Sequence, residues 1–257
     1  MEMVRSVLGT IALTRDWPHF ALNRFIQASG ESKTFRLRNG QVISINADQA
    51  FVLNEIYRDR IYDVPGVDLS SCRTIVDLGA NVGVFALYAA ASAQNATIHC
   101  FEPATSTFAA LLNNIDANHL NVMANKLAIS TFCGSASFCH AGTAAEWSLN
   151  NDSGVVSEEV NCIDLNRLFD LIQDEAIDFL KMDVEGAELD VLTSAFDEQL
   201  RLIGALSVEW HHPIEPLISL VDRLRRIGFD AQFQVVNGNV RYLKATQHGF
   251  PRFRKAA

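Results

Sequence analysis

No run in this 257-residue chain approaches the ~20 consecutive apolar residues that a membrane-spanning helix needs. The most apolar early segment, "SVLGTIAL", is too short and is followed by Arg15 and Asp16. It also lacks a small-residue cleavage site, so neither a span nor a secretion signal is expected. Cysteine is sparse and odd in number: Cys72, Cys100, Cys133, Cys139 and Cys162, with no C-x-x-C. That excludes a disulfide framework and a thiolate zinc site, and reads as small core residues in a reducing, cytoplasmic setting. Bases are outnumbered, 21 against 30 acids, for a net charge of -9. A protein that grips a phosphate backbone carries a basic surface, so nucleic acid is not expected as a partner. The tail "FPRFRKAA" is basic but short and reads as a solvated terminus. Internal repeats and low-complexity segments are absent too.

What is present is an ordinary globular composition, 49% hydrophobic and 20% charged. The length suits one large domain, or one domain with an N-terminal extension. Residues 1–30 read as helical, with Val4, Val7, Leu8 and Ile11 on one face and an interruption at Trp17-Pro18. "TFRLRNGQVISI" alternates on both sides of Asn39-Gly40, a hairpin signal in which both turn residues take positive φ. "QAFVLNEIYRDRIY" is again helical. Its Tyr57 and Tyr62 read as anchors of a packing helix rather than as a lid. Residues 1–70 are therefore set apart as an extension and 71–257 as the main domain.

From Thr74 the rhythm becomes strand, helix, strand, helix. "TIVDL", "TIHCFE", "NVMANKLAI", "VNCIDL", "AIDFLKMDV" and "GALSVEW" read as strands. The helices between them include "STFAALLNNIDANH", with Phe108, Leu111, Leu112 and Ile115 on one face. "PLISLVDRLRRIGF" is another, with Leu217, Leu220, Val221, Leu224 and Ile227 on one face and Gly228 at its end. "DAQFQVV" and "VRYLK" close the chain as a hairpin. The pattern predicts an α/β fold, a doubly wound and mostly parallel sheet with an antiparallel member. Residues 140–158 are the longest polar, irregular stretch and read equally as a substrate-facing flap or a disordered insertion.

In such sheets a ligand sits beyond the carboxyl ends of the strands, near the switch in strand order. The turn after the first core strand is "DLGANVG". A dinucleotide fingerprint, G-x-G-x-x-G, has a middle glycine where the pyrophosphate comes closest, and this turn has none. Asp77 at the strand end would repel a diphosphate but suit a ligand's ammonium. The helix N-terminus beyond it suits a carboxylate. An amino-acid moiety offers both groups, as the methionine end of S-adenosylmethionine does. Glu102, in "CFEP" and 19 residues after Gly83, can accept from both hydroxyls of a ribose. An acid at that place serves NAD equally well, so Asp77 and the missing glycine carry the distinction.

"TIVDLGANVGVFALYAA", "IHCFEPATSTFAALLNNI", "LAIS", "IDFLKMDVEGAELDVL" and "LSVEWHH" resemble, in order and spacing, the FkbM family of S-adenosylmethionine-dependent methyltransferases. The resemblance runs from about Thr34 to His212 and leaves out residues 1–30 and 140–158, the parts expected to set the acceptor. It implies a class I methyltransferase fold, Rossmann-like with a seven-stranded sheet, and O-methylation of hydroxyls on small molecules, sugars or glycans, or natural-product intermediates. It also implies a cofactor site at Asp77, Gly79, Asn81, Gly83 and Glu102, with Ala128 near the adenine. Adding the neighbours in those turns and the acid of the fourth core strand, the cofactor candidates are Asp77, Gly79, Ala80, Asn81, Gly83, Glu102, Pro103, Ala128 and Asp183.

Methyl transfer to a hydroxyl needs alignment, exclusion of water and a base. The fourth core strand ends "FLKMDVEGAE", and period-2 geometry puts Lys181, Asp183 and Glu185 on one face. A lysine there is costly unless paired. Glu188 reads as a helix N-terminal acid. The fifth strand ends "VEWHH", with Glu209 and His211 on one face and Trp210 and His212 on the other. The catalytic candidates are Asp183, Glu209, His211 and Lys181, with His211 as general base or as the group that orients the acceptor with Glu209. Asp183, Glu185, Glu209 and His211 could also ligate Mg²⁺ or Mn²⁺, though no metal site is predicted. N- and carboxyl-methylation, a non-catalytic S-adenosylmethionine-binding protein and an NAD-dependent oxidoreductase are the competing readings.

Overall fold

The computed structural model describes residues 13–15, 32–46, 50–140, 147–148, 156–236 and 240–250. Most of the helix expected over 1–30, most of the 140–158 stretch and the basic tail lie outside the described residues. Where residues 13–15 are described, Thr14 forms an antiparallel bridge with Leu37, so the backbone there pairs with the hairpin instead of continuing a helix.

The hairpin consists of β1 (Lys33–Arg36) and β2 (Val42–Ile45). Its turn differs from the expected pair of positive-φ residues, because only Gly40 is left-handed, at φ 96°. Gly40 N–H donates to Leu37 O, and Leu37 N–H donates to Gln41 O. The loop is therefore Arg38–Gly40, three residues with glycine at the left-handed position. A short helix α1 (Ala50–Leu53) follows and runs into a π-helical turn, Asn54–Arg58.

The main fold is β3 (Thr74–Leu78), α2 (Val84–Ser92), β4 (Thr97–Phe101), α3 (Thr105–Ala117), β5 (Val122–Asn125), β6 (Ala128–Ile129), β7 (Gly134–His140), β8 (Trp147–Ser148) and β9 (Val156–Ile163). It continues through α4 (Leu165–Ile172), β10 (Ile177–Met182), α5 (Glu188–Ser194), α6 (Asp197–Leu200), β11 (Ile203–Trp210), α7 (Ile214–Arg226), β12 (Phe229–Val236) and β13 (Val240–Gln247). The central sheet has seven strands in the order β12-β13-β11-β10-β3-β4-β5. The strands from β11 to β5 pair in parallel, and β13 runs antiparallel to both of its neighbours. The strand order reverses between β3 and β10, so the ligand crevice of an open α/β sheet opens beyond the ends of these two strands.

Alternation along the strands sorts the core into two faces. Ile75, Ile98, Phe179 and Ala205 face α2 and the hairpin, and Val76, Leu180, Leu206 and Val208 face α4, α5 and α7. Both faces are covered, which is why these strands read as continuous apolar runs. The hairpin residues Phe35, Leu37, Ile43 and Ile45 belong to the first cluster. Packing is therefore continuous across the boundary drawn at residue 70. Leu217, Leu220, Val221 and Leu224 are buried along α7 as their spacing predicts, whereas Leu112 on α3 is 40% exposed. "NVMANKLAI" is not one strand. β5 joins the central sheet and β6 starts a second sheet of order β6-β9-β7-β8, which occupies part of the stretch read as irregular. No helix among the described residues is long and apolar enough to cross a membrane.

Two amides pin the hairpin to α3. Asn114 Oδ1 accepts from Ser44 N–H at 2.7 Å, and its Nδ2 donates to Ser44 O and Val82 O. Asn118 does the same for Val42, at 2.7 and 2.6 Å. The side chains thus take the place of a neighbouring strand along the open edge of β2. Replacing Asn114 by Ala removes the partner of three backbone groups, one buried and two half-buried, and is expected to cost on the order of 1–3 kcal/mol. Urea denaturation, with faster amide exchange at residues 42–45, measures this; an unchanged midpoint contradicts it.

Candidate active site

The site begins at the turn after β3. Gly79 has φ 74°, and a Cβ there would lie 1.7 Å from Asp183 O. Only glycine lets the β3 turn approach the end of β10 so closely. Gly83 has φ 89° and caps α2, where a Cβ would meet Leu111 Cδ1 at 2.7 Å. Gly83, expected at the cofactor, is required here by its left-handed backbone and by its packing against α3.

Two clefts adjoin at this turn and share Gly79, Asn81, Asp183 and Glu185. The first, ≈ 600 Å³, runs from Leu127, Ala128 and Phe138 past Pro103 to Glu102. The second, ≈ 710 Å³, is walled by Phe51, Glu55, Tyr62, Ala80, Lys181 and Glu209. The first suits a purine nucleoside: one end is apolar and the other carries a fixed carboxylate. Glu102 Oε1 accepts from Ala104 N–H (2.9 Å) and Thr107 Oγ1 (2.7 Å), and Oε2 accepts from Asn81 N–H (2.9 Å). A carboxylate has about four lone-pair sites, so one is left on Oε2 for a ribose hydroxyl. Phe138 and Thr107 were not foreseen. Phe138 arrives on β7, a strand that was not read in the sequence and that ends where the irregular-looking stretch begins.

Asp77 lines neither cleft. It is fully buried, and its Oδ1 lies 3.0 Å from Lys181 Nζ. Parallel pairing sets Lys181 directly opposite Asp77, so the two side chains emerge side by side on one face. Lys181 also donates to Gly79 O at 2.7 Å and lies 3.8 Å from Asp183 Oδ2. Burial works against its charge, but Asp77 and Asp183 outweigh that and hold its pKa above the ordinary value. Asp77 was expected to receive a ligand's ammonium; the ammonium that the structure places against it is that of Lys181. With Asp77 paired in place, the acidic residues common to both clefts are Asp183 and Glu185.

A second network closes the far end. Glu188, fully buried at the start of α5, accepts from His211 Nδ1 at 2.9 Å and from the backbone of Val184 and Gly186. His212 Nε2 lies 3.2 Å from its other oxygen. Burial opposes its charge, yet these donors hold its pKa at about 2. Glu188 was read as a helix-terminus acid. It is the hub that fixes both histidines, and the signal was the two adjacent histidines, each able to donate to a buried acceptor.

His211 Nε2 also lies 3.6 Å from Glu185 and 3.8 Å from Glu209. Burial resists its protonation, but Glu188, Asp183 and Glu185 overcome that and raise its pKa to about 10. An imidazolium does not take a proton at neutral pH, so of the two roles expected for His211 this environment suits orienting the acceptor with Glu209 better than acting as general base. Burial and then Asp183 raise Glu185 to about 8 and Glu209 to about 7, and a carboxylate near neutrality can accept one. Asp183, Glu209 and His211 each offer one ligand atom within 4.8 Å of the others. A divalent cation could be held there in exchange for the imidazolium proton. Glu185 itself stands at φ 52°, a left-handed turn residue that aims its carboxylate back over β10.

The Methyltransferase FkbM domain matches residues 77–235. The chain belongs to the FkbM methyltransferase family. This FkbM-family chain is 31% identical over 230 residues to the 31-O-demethyl-FK506 methyltransferase FkbM of Streptomyces tacrolimicus, covering 77% of this chain and 88% of that one. It is 30% identical over 220 residues to methyltransferase sdnD of Sordaria araneosa, covering 70% and 82%. Among solved structures, the delta-N METTL16 methyltransferase domain matches with a TM-score of 0.50 at 15% identity, over 82% of this chain and 90% of that one. That likeness shows the fold alone, a class I methyltransferase fold. The FkbM-family protein is thus an S-adenosylmethionine-dependent methyltransferase, and its family match starts at Asp77.

Glu185, Glu209 and His211 all bind protons more tightly folded than unfolded, so the folded state loses stability as pH rises from the unfolded carboxylate range through about 7, about 8 and about 10 in turn. Thermal melts are expected to fall over that window. Glu185→Gln removes one of the three groups, so its melting temperature is expected to gain on the wild type at high pH and not below about pH 5. Parallel melting curves for the two proteins contradict this.

Proposed function

We propose that this FkbM-family enzyme transfers a methyl group to a hydroxyl oxygen of a small molecule, a sugar or glycan unit, or a natural-product intermediate. The observation that carries the proposal is the place of Glu209, in the wall of a second cleft that opens from the nucleoside-shaped one; burial there raises its pKa towards neutrality. The relative from Streptomyces tacrolimicus acts, by its name, at an oxygen, which supports the same chemistry here.

When bound, S-adenosylmethionine supplies an already activated methyl group. The chain's own residues do the rest. Glu102 and the apolar wall around Ala128 hold the nucleoside. Gly79 and Asn81, in the shared part of the two clefts, set the passage between donor and acceptor. Glu209 takes the hydroxyl proton as the acceptor oxygen gains its methyl, so the acceptor never carries the charge of a protonated ether. His211 stays cationic, held by Glu188, and its charge beside Glu209 favours the ionised form that can act as base. Its role is to orient and tune Glu209, which differs from both roles the sequence suggested, general base and partner of Glu209 in orienting the acceptor. The buried Lys181 lies 3.8 Å from Asp183 Oδ2 and helps hold that carboxylate where the two clefts meet. A positioned general base contributes typically ~10²–10⁴-fold.

Calorimetry tests the cofactor half. S-adenosylhomocysteine is expected to bind and NAD not to, and Glu102→Ala is expected to weaken S-adenosylhomocysteine about tenfold or more through loss of a charged hydrogen-bond acceptor. A panel of hydroxylated and aminated acceptors with isotope-labelled donor tests the rest. The label is expected on oxygen, and Glu209→Gln is expected to lower turnover by ~10²–10⁴-fold while leaving S-adenosylhomocysteine affinity nearly unchanged. Label on nitrogen alone, or full turnover by Glu209→Gln, overturns the assignment.

A further inference from the structure

Four acids line the second cleft: Glu55, Asp183, Glu185 and Glu209. Lys181 is the base among its described lining residues, and Asp77 already holds it at 3.0 Å. Three of the acids have partners within the protein. Asp183 lies 3.8 Å from Lys181, and His211 Nε2 lies 3.6 Å from Glu185 and 3.8 Å from Glu209. Tyr62 Oη stands 2.9 Å from Asp183 Oδ2 and 2.8 Å from Glu209 Oε2, with one proton to donate between them. Glu55 differs. Among the described residues no ion pair and no hydrogen bond reaches its carboxylate.

Its backbone, by contrast, is fixed. Asp59 N–H closes the π-helical turn by donating to Asn54 O at 2.9 Å, and Ile61 N–H donates to Glu55 O at 3.1 Å. The turn buries Asn54 and Ile56 and leaves Glu55 half-buried in the cleft wall. Single π-helical turns recur at functional sites. Arg58, on the same turn, attracts Glu55 but is forked onto Asp59, with Nε 2.7 Å from Oδ1. Asp183 and Asp59 repel it. A half-buried carboxylate without a partner costs stability, so the position suits a donor from outside the chain. Much of the remaining wall is apolar, from Val52, Ile56, Ile61, Val84 and Phe85.

We propose that Glu55 selects the methyl acceptor: its carboxylate receives a hydrogen-bond donor, an ammonium or a second hydroxyl, carried on an apolar body, and the cleft refuses acceptors that bear an anionic group. This rests on the reading of the second cleft as the acceptor site. Attraction and exclusion have the same origin. An anion would enter among four carboxylates whose nearby cations are already engaged, whereas a donor fills the one vacancy in their pairing.

Four probes share a cyclohexanol ring and differ at the opposite ring carbon, which carries an amino group, a hydroxyl, hydrogen alone or a carboxyl group. Their binding to the protein saturated with S-adenosylhomocysteine is read by ligand-observed saturation-transfer NMR. The S-adenosylhomocysteine signal in the same tube reports the folding of each variant. In the wild type the amino or the hydroxyl probe is expected to bind about fivefold tighter than plain cyclohexanol, and the carboxyl probe more weakly than it. Glu55→Gln keeps an acceptor and loses the charge, so it is expected to remove the advantage of an ammonium and keep that of a hydroxyl. Glu55→Leu is expected to remove both. The two variants thus tell which donor Glu55 takes. A donor advantage that survives Glu55→Leu overturns the proposal, and so does a carboxyl probe that binds the wild type as tightly as the others. Absence of binding by all four probes overturns it as well. Incubation with methyl-labelled S-adenosylmethionine separates this from the reading of the acceptor atom. Label on the amino nitrogen contradicts transfer to oxygen and leaves selection by Glu55 standing. Label on oxygen, with donor probes indifferent to Glu55→Leu, leaves transfer to oxygen standing and overturns the selection.

Discussion

The contact between Lys181 and Asp77 governs this structure. Two opposite charges lie buried at the centre of a parallel sheet, 3.0 Å apart. Neither is tolerable alone, since an unpaired buried charge costs several kcal/mol. Their pairing fixes the register at the point where strand order reverses. Lys181 then donates to Gly79 O, which holds the glycine turn against the end of β10. Both clefts are built around that closure. The spare attraction of the ammonium, 3.8 Å from Asp183, locates one of the two acids that the clefts share.

Around this pair the site works by proton inventory rather than by a single residue. Glu188 is forced to ionise by its donors and carries the two histidines with it. His211 therefore carries a proton, and the remaining carboxylates crowd one another towards neutral pKa values. Environments that push like groups apart assign their roles. Glu188 cannot act as a base because its pKa is about 2, and His211 cannot because its pKa is about 10. Glu209, at about 7, is poised between them.

Much of the architecture was legible in the sequence because the sheet is locally written. "TIVDLGANVG" announces strand, turn and helix within a dozen residues, and period 2 along β10 put Lys181 and Asp183 on one face without any structure. The site was legible to the extent that its residues end strands: Asp183, Glu209 and Glu102 all stand where they were sought. What escaped is non-local. Asp77 was read as free because its partner lies 104 positions away and is chosen by strand register. Tyr62 looked like a packing anchor, because nothing in "RDRIYDV" tells that its hydroxyl meets two acids from β10 and β11. The second sheet escaped because β7 and β9 pair across a long polar insertion, which reads as loop when each half is judged alone.

The central claim is that the buried pair acts as a unit on which fold and cleft depend, and a double-mutant cycle on Asp77→Asn and Lys181→Met tests it most directly. Each single change leaves one buried charge uncompensated, so each is expected to cost about 3–5 kcal/mol by chemical denaturation and to abolish S-adenosylhomocysteine binding. The double variant is expected to recover most of the stability, giving a coupling energy well above the ~0.5 kcal/mol of independent sites. Additive losses, or a Lys181→Met variant that folds and binds like the wild type, would contradict the account.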